Sequence, residues 1–151
     1  LKESNKDIAI RTSLIVGFPN ESDENFQELY DFIKEVRFDR LGVFTYSQEE
    51  GTIGEKQFDD NVPLEVKKER LDELMKLQMN ISLEKNRSLI GTNQKVIIDT
   101  HTQEGCSIGR TFRDSPEIDN TITFNKSLQV GEFYNAKILE ASHYNLIGDV
   151  S

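Results

Sequence analysis

The chain has 151 residues, with 27 acidic against 18 basic side chains and a formal charge of −9; 36% of it is hydrophobic, enough for one ordinary domain or two small ones. The carboxylate excess disfavours non-specific binding to nucleic acid or to an anionic membrane surface, and it makes a basic partner the electrostatic complement; its blander meaning is solubility. One cysteine, Cys106, excludes an intrachain disulfide framework and points to a reducing compartment, and the sequence offers neither a membrane-spanning run nor a charged-then-apolar leader, so the cytoplasm is the expected location.

The chain begins at Leu1 and enters a strand within its first dozen residues, as a piece cut from a longer protein would. Residues 8–17 read as that strand, ending in the apolar run Leu14-Ile15-Val16 at Gly17. Pro19 forbids further ladder, Ser22 is a helix N-cap, and Phe26, Leu29, Tyr30, Ile33 and Val36 recur at helical spacing through residues 22–36. Residues 41–47 are rich in aromatic and branched side chains and read as a second strand. Strand, helix, strand makes a βαβ unit with a parallel pair, and in such sheets ligands gather beyond the carboxyl ends of the strands. The Gly17–Glu21 turn and the polar loop from Gln48 to Val62 both fall on that rim. Two strands do not make a stable sheet, so the unit needs neighbours from elsewhere.

Pro63 opens a long helix running to about residue 88, with Leu64, Leu71, Leu74, Gln78 and Ile81 on one stripe and Met75 beside it; Gly91 stops it. Beyond this point short strands are expected at 95–100, 106–112, 120–124, 132–141 and 144–148, punctuated by turn residues, which together predict a small all-β barrel. The expected fold is thus α/β plus all-β, with a boundary that assigns residues 1–90 to the first part and 91–151 to the barrel.

Metal-ligand spacing is missing: Cys106 has no cysteine partner, and His101 and His143 stand far apart. There is no nucleophile elbow and no phosphate-cradling glycine loop. Two acidic segments stand out, Gln48–Thr52 on the rim and Arg113–Asp119 between two barrel strands. Each is accounted for by a solvated loop, and Arg110 or Arg113 pairing with Asp114 or Glu117 would simply fix the second.

Several segments resemble a known family. Arg11–Glu21, with its Gly-Phe-Pro turn, and Phe38–Thr52, with Tyr-Ser-Gln-Glu-Glu-Gly-Thr, are similar to the late strands of the radical S-adenosylmethionine methylthiotransferases. The barrel resembles their C-terminal TRAM domain. Gly109–Asp119, containing Arg-Asp-Ser-Pro-Glu-Ile-Asp, together with Val130–Phe133 and Ala141–Leu146, resembles the RimO-type branch, which modifies a ribosomal protein. The resemblance covers essentially the whole chain. Asn20 departs from the usual glycine of the turn, and Ser115 stands where alanine is common.

The resemblance implies the end of a partial TIM-like barrel followed by a small antiparallel β-barrel. It implies an enzyme that uses S-adenosylmethionine and two iron–sulfur clusters to place a methylthio group on the β-carbon of an aspartate in a small-subunit ribosomal protein. The cluster cysteines are absent from this chain, so the chain alone should be inactive, with no catalytic residue and no metal ligand. The implied cofactor contacts are Ile15, Val16, Gly17, Phe44 and Tyr46. The acidic loop residues Asp114, Glu117 and Asp119 are the expected contacts to a basic ribosomal protein; five cations face eight carboxylates over residues 88–151. A tRNA-modifying relative whose barrel binds RNA is the alternative, and a non-catalytic β-barrel binding module is a third.

Overall fold

The computed structural model describes residues 8–116 and 119–150. Its contacts divide the chain into two compact units, residues 1–79 and 80–151.

In the first unit, β1 (Arg11–Val16) and β2 (Arg40–Thr45) pair in parallel, from Arg11 opposite Arg40 to Val16 opposite Thr45. Between them lies α1 (Asp23–Val36), whose first turn is fixed by a reciprocal cap: the Ser22 hydroxyl accepts from Asn25 N–H while the Asn25 side chain accepts from Ser22 N–H. Phe26 and Ile33 are its buried residues. Arg37 ends the helix in the left-handed region, and Ile10 then ties the strands together, its carbonyl accepting from Asp39 and Arg40 N–H and its own N–H donating to the Asp39 carboxylate. Side chains alternate across the sheet. Val16 and Val43 are buried on one face, whereas Ile15 and Phe44 are exposed on the other. The continuous apolar run predicts cover on both faces; among the described residues only one face has it.

The stretch read as a polar loop contains a short helix, α2 (Ile53–Gln57). Thr52 caps it by accepting from Glu55 N–H, and the Glu55 carboxylate reaches back to Gly51 N–H at 2.6 Å. The following α3 (Leu64–Ser88) starts one residue after Pro63, whose carbonyl accepts the first helical bond, from Lys67. Its buried stripe differs from the sequence reading. Leu74, Gln78 and Ile81 lie on it as expected, but so do Lys67 and Arg70, while Leu64 is exposed.

The second unit takes the end of α3 and five strands: β3 (Asn93–His101), β4 (Ser107–Thr111), β5 (Thr121–Phe124), β6 (Phe133–Ala141) and β7 (Asn145–Asp149). They close in the order β3-β4-β5-β7-β6. The pairings are antiparallel except for β5 with β7, which run parallel. Val96, Ile98, Ile122, Phe124, Ala136, Ile138 and Leu146 fill the interior. The contact boundary falls inside α3 because Ser82 and Asn86 donate to the carbonyls of Ser142 and His143, and Asn86 also accepts from Asn120. These residues belong to the barrel although they precede its first strand.

On the barrel surface, Lys126 and Asp149 form an ion pair at 2.7 Å. The hydrogen bond and charge of Lys126 hold the Asp149 carboxyl below its ordinary value. A carboxyl lowered by folding stabilises the folded state above its unfolded pKa of about 3.9 and loses that contribution as the pH falls through the folded value. Asp149→Asn should therefore lower the melting temperature slightly near neutral pH, and the difference from the parent should vanish in strong acid and shrink in high salt. Melting curves over a pH series check this.

Candidate cofactor rim and barrel loop

At the carboxyl ends of β1 and β2, Ile15 and Phe44 are register partners. They are 57% and 59% exposed, a pair of large apolar groups side by side on the open face. The Phe44 ring lies against the backbone of Gly42, where a Cβ would come within 3.3 Å of it. Val16 is fully buried on the opposite face, so a ligand on this face can meet its backbone but not its side chain.

Gly17 turns the chain out of β1 with φ +71°. Its N–H donates to the Glu21 carboxylate at 2.9 Å, and Glu21 N–H returns to the Phe18 carbonyl. Asn20 also lies in the left-handed region, φ +66°, which accounts for its standing in a glycine position. It exchanges two hydrogen bonds with Asn61, a link glycine would not make in full. Tyr46 continues the ladder by donating to Val16 O, and its ring packs edge-on against Phe18, which in turn meets Phe58. Among the expected contacts, then, Ile15 and Phe44 share a face, Gly17 lies in the turn and Tyr46 joins an aromatic cluster.

Two α3 cations underlie this rim. Lys67 Nζ donates to both oxygens of Asp60, at 2.5 and 2.7 Å, and to Tyr46 O at 3.1 Å. Arg70 donates to the Glu21 carboxylate and carbonyl and to Asp23, with its guanidinium over the Phe26 ring. The sequence reading missed both, because charged side chains read as solvated. The available signal was phase: positions 67 and 70 fall on the same helical stripe as Leu74, Gln78 and Ile81.

An adenosyl group fits the Ile15–Phe44 face, which offers a wide apolar surface beside a backbone turn. An iron–sulfur cluster does not fit: Cys106 is the single cysteine, and the described residues hold no group of three potential ligands.

In the barrel, Asp114 is buried and accepts from the Thr111 hydroxyl at 2.6 Å, while Asp119 accepts from Ser115 N–H at 2.6 Å. Both carboxylates are engaged within their own loop. Glu117 lies outside the described residues. Arg113, at the start of the same loop, sits over the exposed Phe112 ring, and on β3 Lys95 sits over the exposed Phe133 ring.

The chain thus carries a parallel βαβ unit, a long helix and a five-stranded closed barrel. The TRAM domain model matches residues 90–150. Over 146 residues the chain is 44% identical to the ribosomal protein uS12 methylthiotransferase RimO of Bacteroides thetaiotaomicron, covering 95% of this chain and 33% of that protein. The like-named protein of Phocaeicola vulgatus is 47% identical over 147 residues, 95% of this chain and 34% of its own length. That of Christiangramia forsetii is 45% identical over 155 residues, 99% and 34%. Over 95% of its length the chain is similar to RimO-type methylthiotransferases, and its barrel is a TRAM domain. It spans about a third of the length of the curated relatives it matches. No helix among the described residues is long and apolar enough to cross a membrane.

Proposed function

We propose that this chain is part of a cytoplasmic radical S-adenosylmethionine enzyme that attaches a methylthio group to the β-carbon of an aspartate in a basic small-subunit ribosomal protein. The match to uS12 methylthiotransferases over 95% of the chain carries the reading. The exposed Ile15–Phe44 pair at the strand ends supports it, as a surface for the adenine of S-adenosylmethionine, with Gly17, Tyr46 and the backbone of Val16 shaping the edge. When bound, the cofactor supplies the radical and the methylthio carbon; the residues present here bind and orient it. The two clusters would be held by cysteines of the rest of the enzyme.

In this reading the barrel recognises the ribosomal protein through the loop bearing Asp114, Glu117 and Asp119. The hydrogen bonds of Asp114 and Asp119 give them a framing role, so charge and loop shape act together. The full-length enzyme, reconstituted and incubated with the ribosomal protein, should yield a methylthio-aspartate detectable by mass spectrometry. Residues 1–151 alone should develop no iron–sulfur absorption. Changing Asp114, Glu117 and Asp119 together to the amides should slow association and flatten its salt dependence. Normal association with a lowered melting temperature would assign the loop to structure alone.

The RNA-modifying alternative draws on the stacked pairs Lys95–Phe133 and Arg113–Phe112, cations and aromatics of the kind that hold unpaired bases. Binding of tRNA lost on Phe133→Ala, with the ribosomal protein left unmodified, would favour it.

A further inference from the structure

We propose that Lys67 is a positioning residue for the strand-end rim, fixing the backbone of Gly17 and Tyr46 beside which the adenosyl group lies; this rests on the reading above that the rim takes S-adenosylmethionine. The Lys67 side chain is 4% exposed. Its stem crosses directly over Gly17: a Cβ built there would sit 2.3 Å from Lys67 Cγ and 2.8 Å from Cδ. Its ammonium then reaches Tyr46 O at 3.1 Å and both Asp60 oxygens, and lies 5.2 Å from the Tyr46 ring centre. One side chain thus touches the segment after β1, the segment after β2 and the segment before α3.

A lysine has three donors, and here two meet carboxylate oxygens and one a carbonyl. The ammonium is therefore committed to the protein, and its effect on a ligand runs through the backbone it holds. Stability alone is a poor reason for such a group, since apolar side chains of similar volume are commonly at least as stabilising as a buried ion pair. What the ion pair adds is a fixed position. Tyr46 N–H bonds Val16 O and Tyr46 O bonds Lys67, so the peptide that closes the β1–β2 ladder is held from both sides. A rim fixed before binding spares the ligand the ordering of that backbone.

The test uses the full-length, cluster-reconstituted enzyme and equilibrium dialysis with S-adenosylmethionine. Lys67→Met keeps the stem over Gly17 and removes the ammonium. It should raise Kd about tenfold, a change of roughly 1.4 kcal/mol, with a matching rise in KM and little change in kcat. Phe44→Ala reports on the rim itself. Ile33→Val, a buried change in the same unit, should lower the melting temperature and leave Kd unchanged. If Phe44→Ala weakens binding and Lys67→Met does not, the role of Lys67 is overturned and the rim stands. If neither changes Kd, the rim reading falls and Lys67 with it. If Ile33→Val weakens binding as much as Lys67→Met does, the effect is general destabilisation and the positioning role is overturned.

Discussion

Phe124→Ala should unfold the barrel at room temperature. Phe124 is the largest of the fully buried side chains, and its ring is pressed close to Gly148: a Cβ on that glycine would come within 2.9 Å of it. The glycine leaves the space that the ring fills. Removing a buried phenylalanine ring costs about 3–5 kcal/mol through lost transfer energy and the cavity left behind. Domains hold only about 0.05–0.15 kcal/mol of stability per residue, so in a unit this small the loss is comparable to the whole. Neighbouring Ile122 and Leu146 sit on paired strands and cannot collapse into the gap without breaking that register. Circular dichroism and thermal melting would read the result. A fall in melting temperature below about 4 °C, equivalent to roughly 1 kcal/mol in a domain of this size, would show that the ring does not anchor the core.

Gly17→Ala should be the most damaging single-methyl change in the first unit. The residue is in the left-handed region, where a Cβ costs roughly 1–2 kcal/mol. The new methyl would also meet the Lys67 stem at 2.3 Å. That stem cannot swing away freely, because the helix holds one end and Asp60 and Tyr46 hold the other. Overpacking of this kind costs about 1–3 kcal/mol, giving a combined loss of about 2–5 kcal/mol. The two parts separate in a double-mutant cycle with Lys67→Ala. Clearing the stem should recover the steric part and leave the conformational part, so the coupling should be about 1–3 kcal/mol. Strict additivity in denaturant melts would place Lys67 away from the turn.

The elements that sequence reveals here are those whose signal is local. Leu14-Ile15-Val16 before Gly17, and the branched apolar run Val96-Ile97-Ile98, announce strands because composition and punctuation sit within a few residues. The short helix α2 was equally local but masked: Thr52 and Glu55 carry a capping signature, while Gly54 inside it argues for a loop. Lys67 and Arg70 show the opposite failure. Arg70 is buried against Glu21 and Asp23, which arrive from a distant segment, while Asp60 stands only seven residues before Lys67 but outside the helix, where helical phase does not register it. For the candidate site, the Leu14-Ile15-Val16 run marks Ile15 as a strand-end apolar residue and Phe44 enters only through the family resemblance; their standing opposite each other is a matter of register. The inward commitment of Asp114 was hidden for a similar reason, since an acidic loop reads the same whether its carboxylates face water or a hydroxyl.

The parallel pairing of β5 with β7 bears on how the barrel comes into being. As the chain is synthesised, β3, β4 and β5 can zip together as neighbours, but β6 must reach past two strands to pair with β3. That leaves a gap between β5 and β6, and β7 alone fills it. Until β7 emerges, two strand edges face solvent with unpaired amides and carbonyls, open to any other extended chain. Ring closure also has to meet its loop entropy before the distant pairings return anything, which slows a fold of this topology. The few residues from Asn145 to Asp149 thus act as a keystone, and a nascent chain that stalls before them is left with its edges open to aggregation.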